Sequence, residues 1–165
     1  MLEHSTLLDK GFSFTRVVED GLPGYLIVKK NCYEKYVDEY FGGWVNGVQL
    51  ELNTEAFKRL LGKDDFIRIS LHGETVGFYS FDVLDDRIDG ITIQMIKMAQ
   101  GMGVGSLYLR HIVNLSHETN KPIYLKVFKS NPAVKLYERF GFVIYDGTAS
   151  HYLMKFNPSC EGVNQ

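Results

Sequence analysis

Cysteine is scarce in this chain of 165 residues, in which Cys32 and Cys160 are the only two. Neither has a second Cys or His nearby at the spacing of a metal-ligand set. The sequence therefore predicts no metal site, and we expect two free thiols in a reducing, cytoplasmic compartment. No apolar run approaches the roughly 20 residues that cross a bilayer. The N-terminus also lacks a basic region followed by an apolar one, so we expect neither a membrane role nor a secretion signal.

The sequence lacks an excess of positive charge, because 18 Lys and Arg stand against 20 Asp and Glu, and it contains no basic run. This pattern gives no support to nucleic-acid binding. The charge is unevenly distributed, with a net of −5 over residues 1–97 and +3 over residues 98–165. A basic half suits a polyanionic ligand and an acidic half suits a cationic one.

The remaining composition is that of a folded domain, with 45% hydrophobic and 23% charged residues. Apolar periodicity predicts alternating and helical segments in the order β-α-α-β-β-β-α-β-α-β-β. Predicted strands cover 12–18, 65–71, 75–83, 88–96, 123–128, 142–145 and 151–156, and predicted helices cover 25–40, 53–61, 104–119 and 132–140. We expect one α/β domain over residues 12–156, with a mixed central sheet of about seven strands and helices on both faces. Residues 1–11 are expected to form a flexible leader and 157–165 a tail.

A glycine-rich loop, Gln100-Gly101-Met102-Gly103-Val104-Gly105-Ser106, joins a predicted strand to a predicted helix. Glycines let the backbone turn sharply and approach a ligand closely. The following helix start offers unpaired N–H groups to a phosphate or pyrophosphate. A nucleotide P-loop would need a Lys after the last glycine, and a dinucleotide loop would need its third glycine one residue later. A tight turn without a ligand is the remaining structural interpretation.

A second motif lies about thirty residues downstream, at Asn131-Pro132-Ala133-Val134-Lys135-Leu136-Tyr137-Glu138-Arg139-Phe140-Gly141-Phe142. With the glycine loop, which fits Q/R-x-x-G-x-G/A, it resembles the two signatures of the GNAT N-acetyltransferase family. The order of elements over residues 12–156 is similar as well. The resemblance implies a GNAT-like domain that binds acetyl-coenzyme A as co-substrate. It also implies a gap between the strands at 88–96 and 123–128 for the pantetheine arm.

The resemblance also implies roles for individual residues. Main-chain groups of Met95 and Ile96 would bind the pantetheine, and N–H groups from Gln100 to Ser106 would hold the pyrophosphate. Asn131 would contact the pantetheine as well as cap its helix. Tyr137 would stand near the thioester sulfur as the general acid. A tyrosine and a thiol have similar reference acidities, so that proton transfer would be inexpensive.

The acceptor site and the general base are less clear from the sequence. Relatives often carry a glutamate on the strand before the loop, but residues 90–93 contain no carboxylate, and Asp89 is the nearest one. His151 is a candidate proton acceptor. Tyr33, Tyr36 and Trp44 belong to an aromatic cluster beside carboxylates, a combination that suits an amine cation. The alternative for this cluster is a helix with one buried stripe and one solvated acidic face.

Two functions therefore remain open at this point. One is transfer of acetyl from acetyl-coenzyme A to a primary amine of a small molecule or peptide, by direct attack in a ternary complex. The other is a non-catalytic acetyl-coenzyme A sensor with the same fold. Exposed strand edges and aromatic residues would also permit a homodimer.

Overall fold

The computed structural model describes residues 1–2 and 4–158. Its strands are β1 (Phe12–Arg16), β2 (Ile67–Leu71), β3 (Glu74–Val83), β4 (Ile88–Met95), β5 (Ile123–Phe128), β6 (Val143–Gly147) and β7 (His151–Phe156). Its α-helices are α1 (Ser5–Asp9), α2 (Leu22–Phe41), α3 (Asn46–Leu60), α4 (Val104–Thr119) and α5 (Ala133–Arg139). Two short 3-10 helices cover Glu19–Gly21 and Lys97–Ala99.

The strands form one seven-stranded sheet in the order β1-β2-β3-β4-β5-β7-β6. β1 pairs antiparallel with β2, β2 with β3, and β7 with both β5 and β6. β4 and β5 are parallel, in register at Ile88 and Ile123. The predicted mixed α/β sheet and the predicted parallel β4–α4–β5 unit are confirmed.

The chain divides into two compact units, of which the first comprises residues 1–80 and 92–104. Its core is aromatic, because the rings of Tyr25, Phe57, Phe66 and Phe78 have neighbouring centroids 5.3 to 6.0 Å apart. Val17 and Val28 complete this buried cluster. α2 and α3 thus bury their apolar faces on β2 and β3.

The second unit comprises residues 81–91 and 105–165. Here α4 packs Tyr108 against Phe81, with ring centroids 6.4 Å apart. The ring of Phe142 lies between those of Tyr137 and Phe156, with centroid distances of 5.8 and 5.6 Å. These contacts join α5 to the β7 side of this unit.

The N-terminal segment differs from the expected flexible leader. Residues 5–9 form α1, and both Leu2 and Leu7 are only 3% exposed. The main-chain N–H of Leu2 donates to Tyr79 Oη at 3.2 Å. Five residues are too few to show helical periodicity, and burial of these two leucines depends on partners distant in sequence.

α3 is longer than predicted, because it begins at Asn46 and not near Asn53. The predicted caps Asn53 and Thr54 therefore lie inside the helix, and Val45 occupies the N-cap position. Val48 and Leu52 in the missed turns are more than half exposed, so their pattern gave no amphipathic signal. No helix among residues 1–2 and 4–158 is long and apolar enough to cross a membrane.

Candidate functional site

At the C-terminal end of β4, some main-chain groups are hydrogen-bonded within the fold and others are directed away from the neighbouring strand β3. Ile96 uses both of its groups within the fold, since its N–H donates to Val76 O at 2.9 Å and its carbonyl accepts from Ala99 N–H at 3.0 Å. β4 lies beside β3 in the sheet, and hydrogen-bonding direction alternates along a strand, so from the Ile96–Val76 bond we infer that Met95 directs its N–H and C=O away from β3. Of the two residues predicted to bind pantetheine, Met95 is thus the one that faces a new partner.

The carbonyl of Met95 is fixed by two side chains. Gln100 donates from Nε2 at 2.8 Å, and the thiol of Cys32 on α2 donates at 3.3 Å. Gln100 thereby ties the start of the glycine loop back to the strand that precedes it. The role of Cys32 was not anticipated, because it depends on α2 lying over β4. Cys32 is a free thiol, as predicted, whereas Cys160 lies outside the part of the chain that the structure describes.

The glycine loop has the backbone conformation that its composition predicts. Gly101 and Gly103 have φ of +75° and +101°, a region that side chains other than glycine rarely adopt. A Cβ on Gly101 would meet no atom within 4 Å, so the loop surface is open there. Within residues 4–158, the N–H groups of residues 101–103 donate to no main-chain carbonyl outside regular structure. They precede the first turn of α4, where the helix dipole favours an anion.

The N-terminal segment supports this loop from within the first unit. Lys10 Nζ donates to Met102 O at 3.1 Å, and a Cβ on Gly103 would lie 3.9 Å from Leu7. These contacts could not be predicted from the sequence, because about ninety residues separate the partners.

The first turn of α4 continues the motif, with Val104 in the first unit and Gly105 and Ser106 in the second. Val104 is fully buried, and Gly105 and Ser106 are half-buried. Gly105 lacks a positive φ, and a Cβ there would lie 3.6 Å from Leu136 on α5. Neither the loop conformation nor the packing against α5 therefore requires a glycine at this position.

Asn131 was predicted to cap α5, but the helix begins one residue later than predicted, so Pro132 holds the N-cap position and Asn131 precedes it. Its Oδ1 accepts the N–H of Ala133 at 2.9 Å. The NH2 group of the same side-chain amide remains a potential donor to a ligand.

Tyr137 on α5 is 9% exposed and packs edge-on against Phe142. Burial raises the pKa of Tyr137 to about 12. The phenol therefore stays protonated throughout the physiological pH range, as a general acid requires.

His151 begins β7 and is half-buried, with its ring 4.1 Å from that of Phe128. Its Nδ1 lies 2.7 Å from Ser150 Oγ. Burial, followed by the nearby charge of Lys126, lowers the pKa of His151 below the usual value. The neutral imidazole that results is the form that accepts a proton.

The predicted acceptor residues are only partly brought together. The rings of Tyr33 and Tyr36 lie 6.4 Å apart, but Tyr36 is buried and its face carries Lys35 Nζ at 4.8 Å. Trp44 hydrogen-bonds to other residues, because its main-chain N–H donates to Asp38 and its indole N–H donates to Asn46. The aromatic faces predicted to take an amine cation are thus already paired with lysines of this chain.

In the part of the chain that the structure describes, no three or more metal-ligating side chains lie together.

Solved structures share the fold at low sequence identity. The ribosomal-protein-S18-alanine N-acetyltransferase from Escherichia coli has a TM-score of 0.64 at 18% identity, covering 93% of this chain and 98% of its own. Naa50 from Arabidopsis thaliana, in complex with the bisubstrate analogue CoA-Ac-MVNAL, has a TM-score of 0.61 at 19% identity, with 89% and 99% covered.

A third structure, PaiA N-acetyltransferase from Thermoplasma acidophilum in complex with coenzyme A, has a TM-score of 0.65 at 13% identity, covering 88% of this chain and 98% of its own. No curated protein matches the sequence. The profile of the Acetyltransferase (GNAT) family matches residues 29–142, which is more than half of the chain and includes both motifs. The chain therefore belongs to the GNAT acetyltransferase family.

Proposed function

We propose that this protein transfers an acetyl group from acetyl-coenzyme A to a primary amine of a small molecule or peptide. The observation that carries the proposal is the loop from Gln100 to Gly103, where two glycines are left-handed and, within the described residues, the N–H groups of residues 101–103 donate to no main-chain carbonyl outside regular structure. Such a loop matches a pyrophosphate in shape and charge. Membership of an acetyltransferase family makes the coenzyme the fitting source of that pyrophosphate.

The pantetheine arm would bind along the free side of β4. The N–H of Met95 would donate to it like one position of an added strand. Both main-chain groups of Ile96 have partners within the fold, so we assign Ile96 no hydrogen bond to the cofactor through them. The N–H of Gln100 donates to Lys97 O at 3.1 Å, so the N–H groups from Gly101 to Ser106 would hold the pyrophosphate, and the Asn131 amide would contact the pantetheine.

In the chemical step, a neutral amine would attack the thioester carbonyl directly in a ternary complex. Holding both reactants together makes this step effectively unimolecular. Tyr137 would then protonate the departing thiolate. A pKa of about 12 against roughly 8.5 for a thiol in water would make that transfer uphill by about 5 kcal/mol. The same dry surroundings also raise the pKa of the thiol, which reduces the difference between the two pKa values.

His151 is the proposed proton acceptor for the amine, because its lowered pKa keeps it neutral. The acceptor class remains broad, with Tyr33, Tyr36 and Trp44 as the proposed substrate residues. The Escherichia coli and Arabidopsis neighbours are named for an alanine acceptor and a peptide-derived analogue. These names favour peptide N-termini among the acceptors to be screened. We place the protein in the cytoplasm and assign it no metal.

A thiol-release assay tests the proposal directly. Purified protein, acetyl-coenzyme A and a panel of amines should release coenzyme A above the hydrolysis rate for at least one amine. Peptides with free N-termini, polyamines and amino acids should form the panel. Mass spectrometry of the acceptor should then show one added acetyl group per coenzyme A released.

The sensor hypothesis predicts a different result from the same material. The absence of a carboxylate at residues 90–93 supports it, since no strand glutamate is present to activate the amine. A sensor would bind acetyl-coenzyme A but release no thiol with any amine of the panel.

A further inference from the structure

Lys29 occupies an unusual position on the face of α2 that covers the sheet. Tyr25 and Tyr33 lie one turn to either side, and their ring centroids are 5.5 and 4.8 Å from Lys29 Nζ. Residues four apart share one helix face, so the amine is enclosed by two aromatic side chains. The neighbouring Lys30, in contrast, is exposed.

No carboxylate compensates this amine within the described part of the chain, where Lys29 makes no ion pair or hydrogen bond. The ionisable groups that face it are Cys32 and the two tyrosines on α2, and Arg59 on α3. The aromatic faces favour the ammonium form. Burial outweighs them and, with the charge of Arg59, lowers the pKa of Lys29 to about 8.

The same helix face contacts the strand end that would hold the cofactor. Cys32 follows Lys29 by one turn, and its thiol donates to Met95 O at 3.3 Å. Side chains three apart on a helix have Cβ atoms about 5–6 Å apart. Lys29 is therefore one helical turn from Cys32, whose thiol contacts the main chain along which the pantetheine arm is proposed to lie.

From this arrangement we propose that the protein acetylates its own Lys29, an inference that rests on the proposed binding of acetyl-coenzyme A. The neutral Nζ forms a bond to the acetyl carbonyl carbon, and the carbon–sulfur bond of the thioester breaks. Coenzyme A leaves as the thiolate and takes up the proton that the nitrogen loses. The product is an uncharged acetamide beside the two tyrosine rings, so the modification removes a charge that no carboxylate compensates within the described part of the chain.

The test is site-resolved labelling of the intact chain. Protein is incubated with acetyl-coenzyme A at pH 7.5, digested with a protease that does not cleave at lysine, and analysed by mass spectrometry over time. Lys29 should be acetylated about tenfold faster than Lys30 or Lys35 on the same helix, because far more of it is neutral, although lower basicity also reduces nucleophilicity. Equal or slower labelling of Lys29 would overturn the inference.

Two controls separate labelling by bound cofactor from labelling in solution. Gly103→Asp should abolish the preference for Lys29 while leaving the slow labelling of Lys30 unchanged. Preference that survives in this variant would contradict transfer from the loop-bound cofactor. Lys29→Arg should leave the labelling of Lys30 and Lys35 as in the wild type.

Calorimetry on the same samples distinguishes failure of this inference from failure of the proposed function. Binding of acetyl-coenzyme A without preferential labelling of Lys29 refutes self-acetylation alone. Absence of binding refutes the proposed function, and self-acetylation with it.

Discussion

Burial moves two ionisable side chains toward their neutral forms, and both belong to the proposed chemistry. The pKa of Tyr137 rises to about 12, whereas the pKa of Lys29 falls to about 8. Desolvation disfavours the charged form in each case, so the shifts have opposite signs for an acid and a base. The motif identified Tyr137 from the sequence. The spacing of Tyr25, Lys29 and Tyr33 is equally visible in the sequence. The sequence does not show, however, that this face of α2 lies on the sheet.

The first prediction at this scale concerns Tyr137. Tyr137→Phe should lower kcat by about 100-fold, the lower range for loss of a general acid. It should leave the affinity for acetyl-coenzyme A nearly unchanged, because the ring still packs on Phe142. Tyr79→Phe is the matched control, since Tyr79 is also buried with a pKa of about 12 but its hydroxyl binds Leu2. Steady-state kinetics with equal kcat for wild type and Tyr137→Phe would exclude the acid role.

A second residue-scale prediction follows from the lowered pKa of Lys29. The folded chain releases this proton near pH 8 and the unfolded chain near 10.4, so the unfolded state binds more protons in between. The destabilisation is complete below pH 8 and is relieved as the pH rises toward 10.4. Lys29→Met should therefore raise the Tm at pH 7, by an amount that shrinks at pH 10.

Thermal unfolding of Lys29→Met and Lys30→Met at pH 7, 8.5 and 10 measures this effect. Lys30 is the matched control, because it is exposed and adjacent on the same helix. A Tm difference for Lys29→Met that is constant across this range would contradict the assigned burial.

At the scale of elements, boundaries were predicted correctly where the apolar periodicity is strong and incorrectly where it is weak. The predicted bounds of α4, β5 and β7 agree with the structure. In β5, buried positions alternate with less buried ones. α1 was missed, and α3 was predicted seven residues too short at its start. Both misses involve segments whose apolar side chains are too few, or too exposed, to show a helical pattern.

The glycine loop yields a prediction that separates two glycines of one motif. Gly103→Ala should destabilise the protein and weaken cofactor binding, because φ is +101° there. Gly105→Ala should leave stability unchanged or raise it by up to about 1 kcal/mol, since this glycine is helical and its Cβ would make an ordinary contact. Urea unfolding of both variants measures the difference, and equal effects would refute the distinction.

The N-terminal segment gives a second prediction at this scale. Leu7→Ala should reduce the free energy of unfolding by about 2–4 kcal/mol, the usual cost of truncating a buried leucine. Leu8→Ala is the matched control, because Leu8 is 49% exposed. Denaturant titrations in which the two variants are equally stable would show that α1 does not pack on the domain.

For the whole molecule, the element order predicted the mixed sheet, and two motifs in the correct order predicted the family. The sequence could not show that β7 lies between β5 and β6, because strand order in space depends on long-range pairing. Nor could it show that the tyrosines chosen for the acceptor already pair with Lys29 and Lys35, or that Ile96 hydrogen-bonds within the fold. The predicted homodimer stays a prediction.

The most direct measurement of the central claim is a calorimetric titration of the whole protein with acetyl-coenzyme A, in parallel with coenzyme A and ATP. We predict micromolar binding of acetyl-coenzyme A, weaker or no binding of ATP, and loss of binding in Gly103→Asp. Gly62→Asp is the control, because it places the same charge on a left-handed glycine at the end of α3, outside the loop. Absence of acetyl-coenzyme A binding, or equal binding in wild type and Gly103→Asp, would contradict the assignment of this loop as the cofactor site.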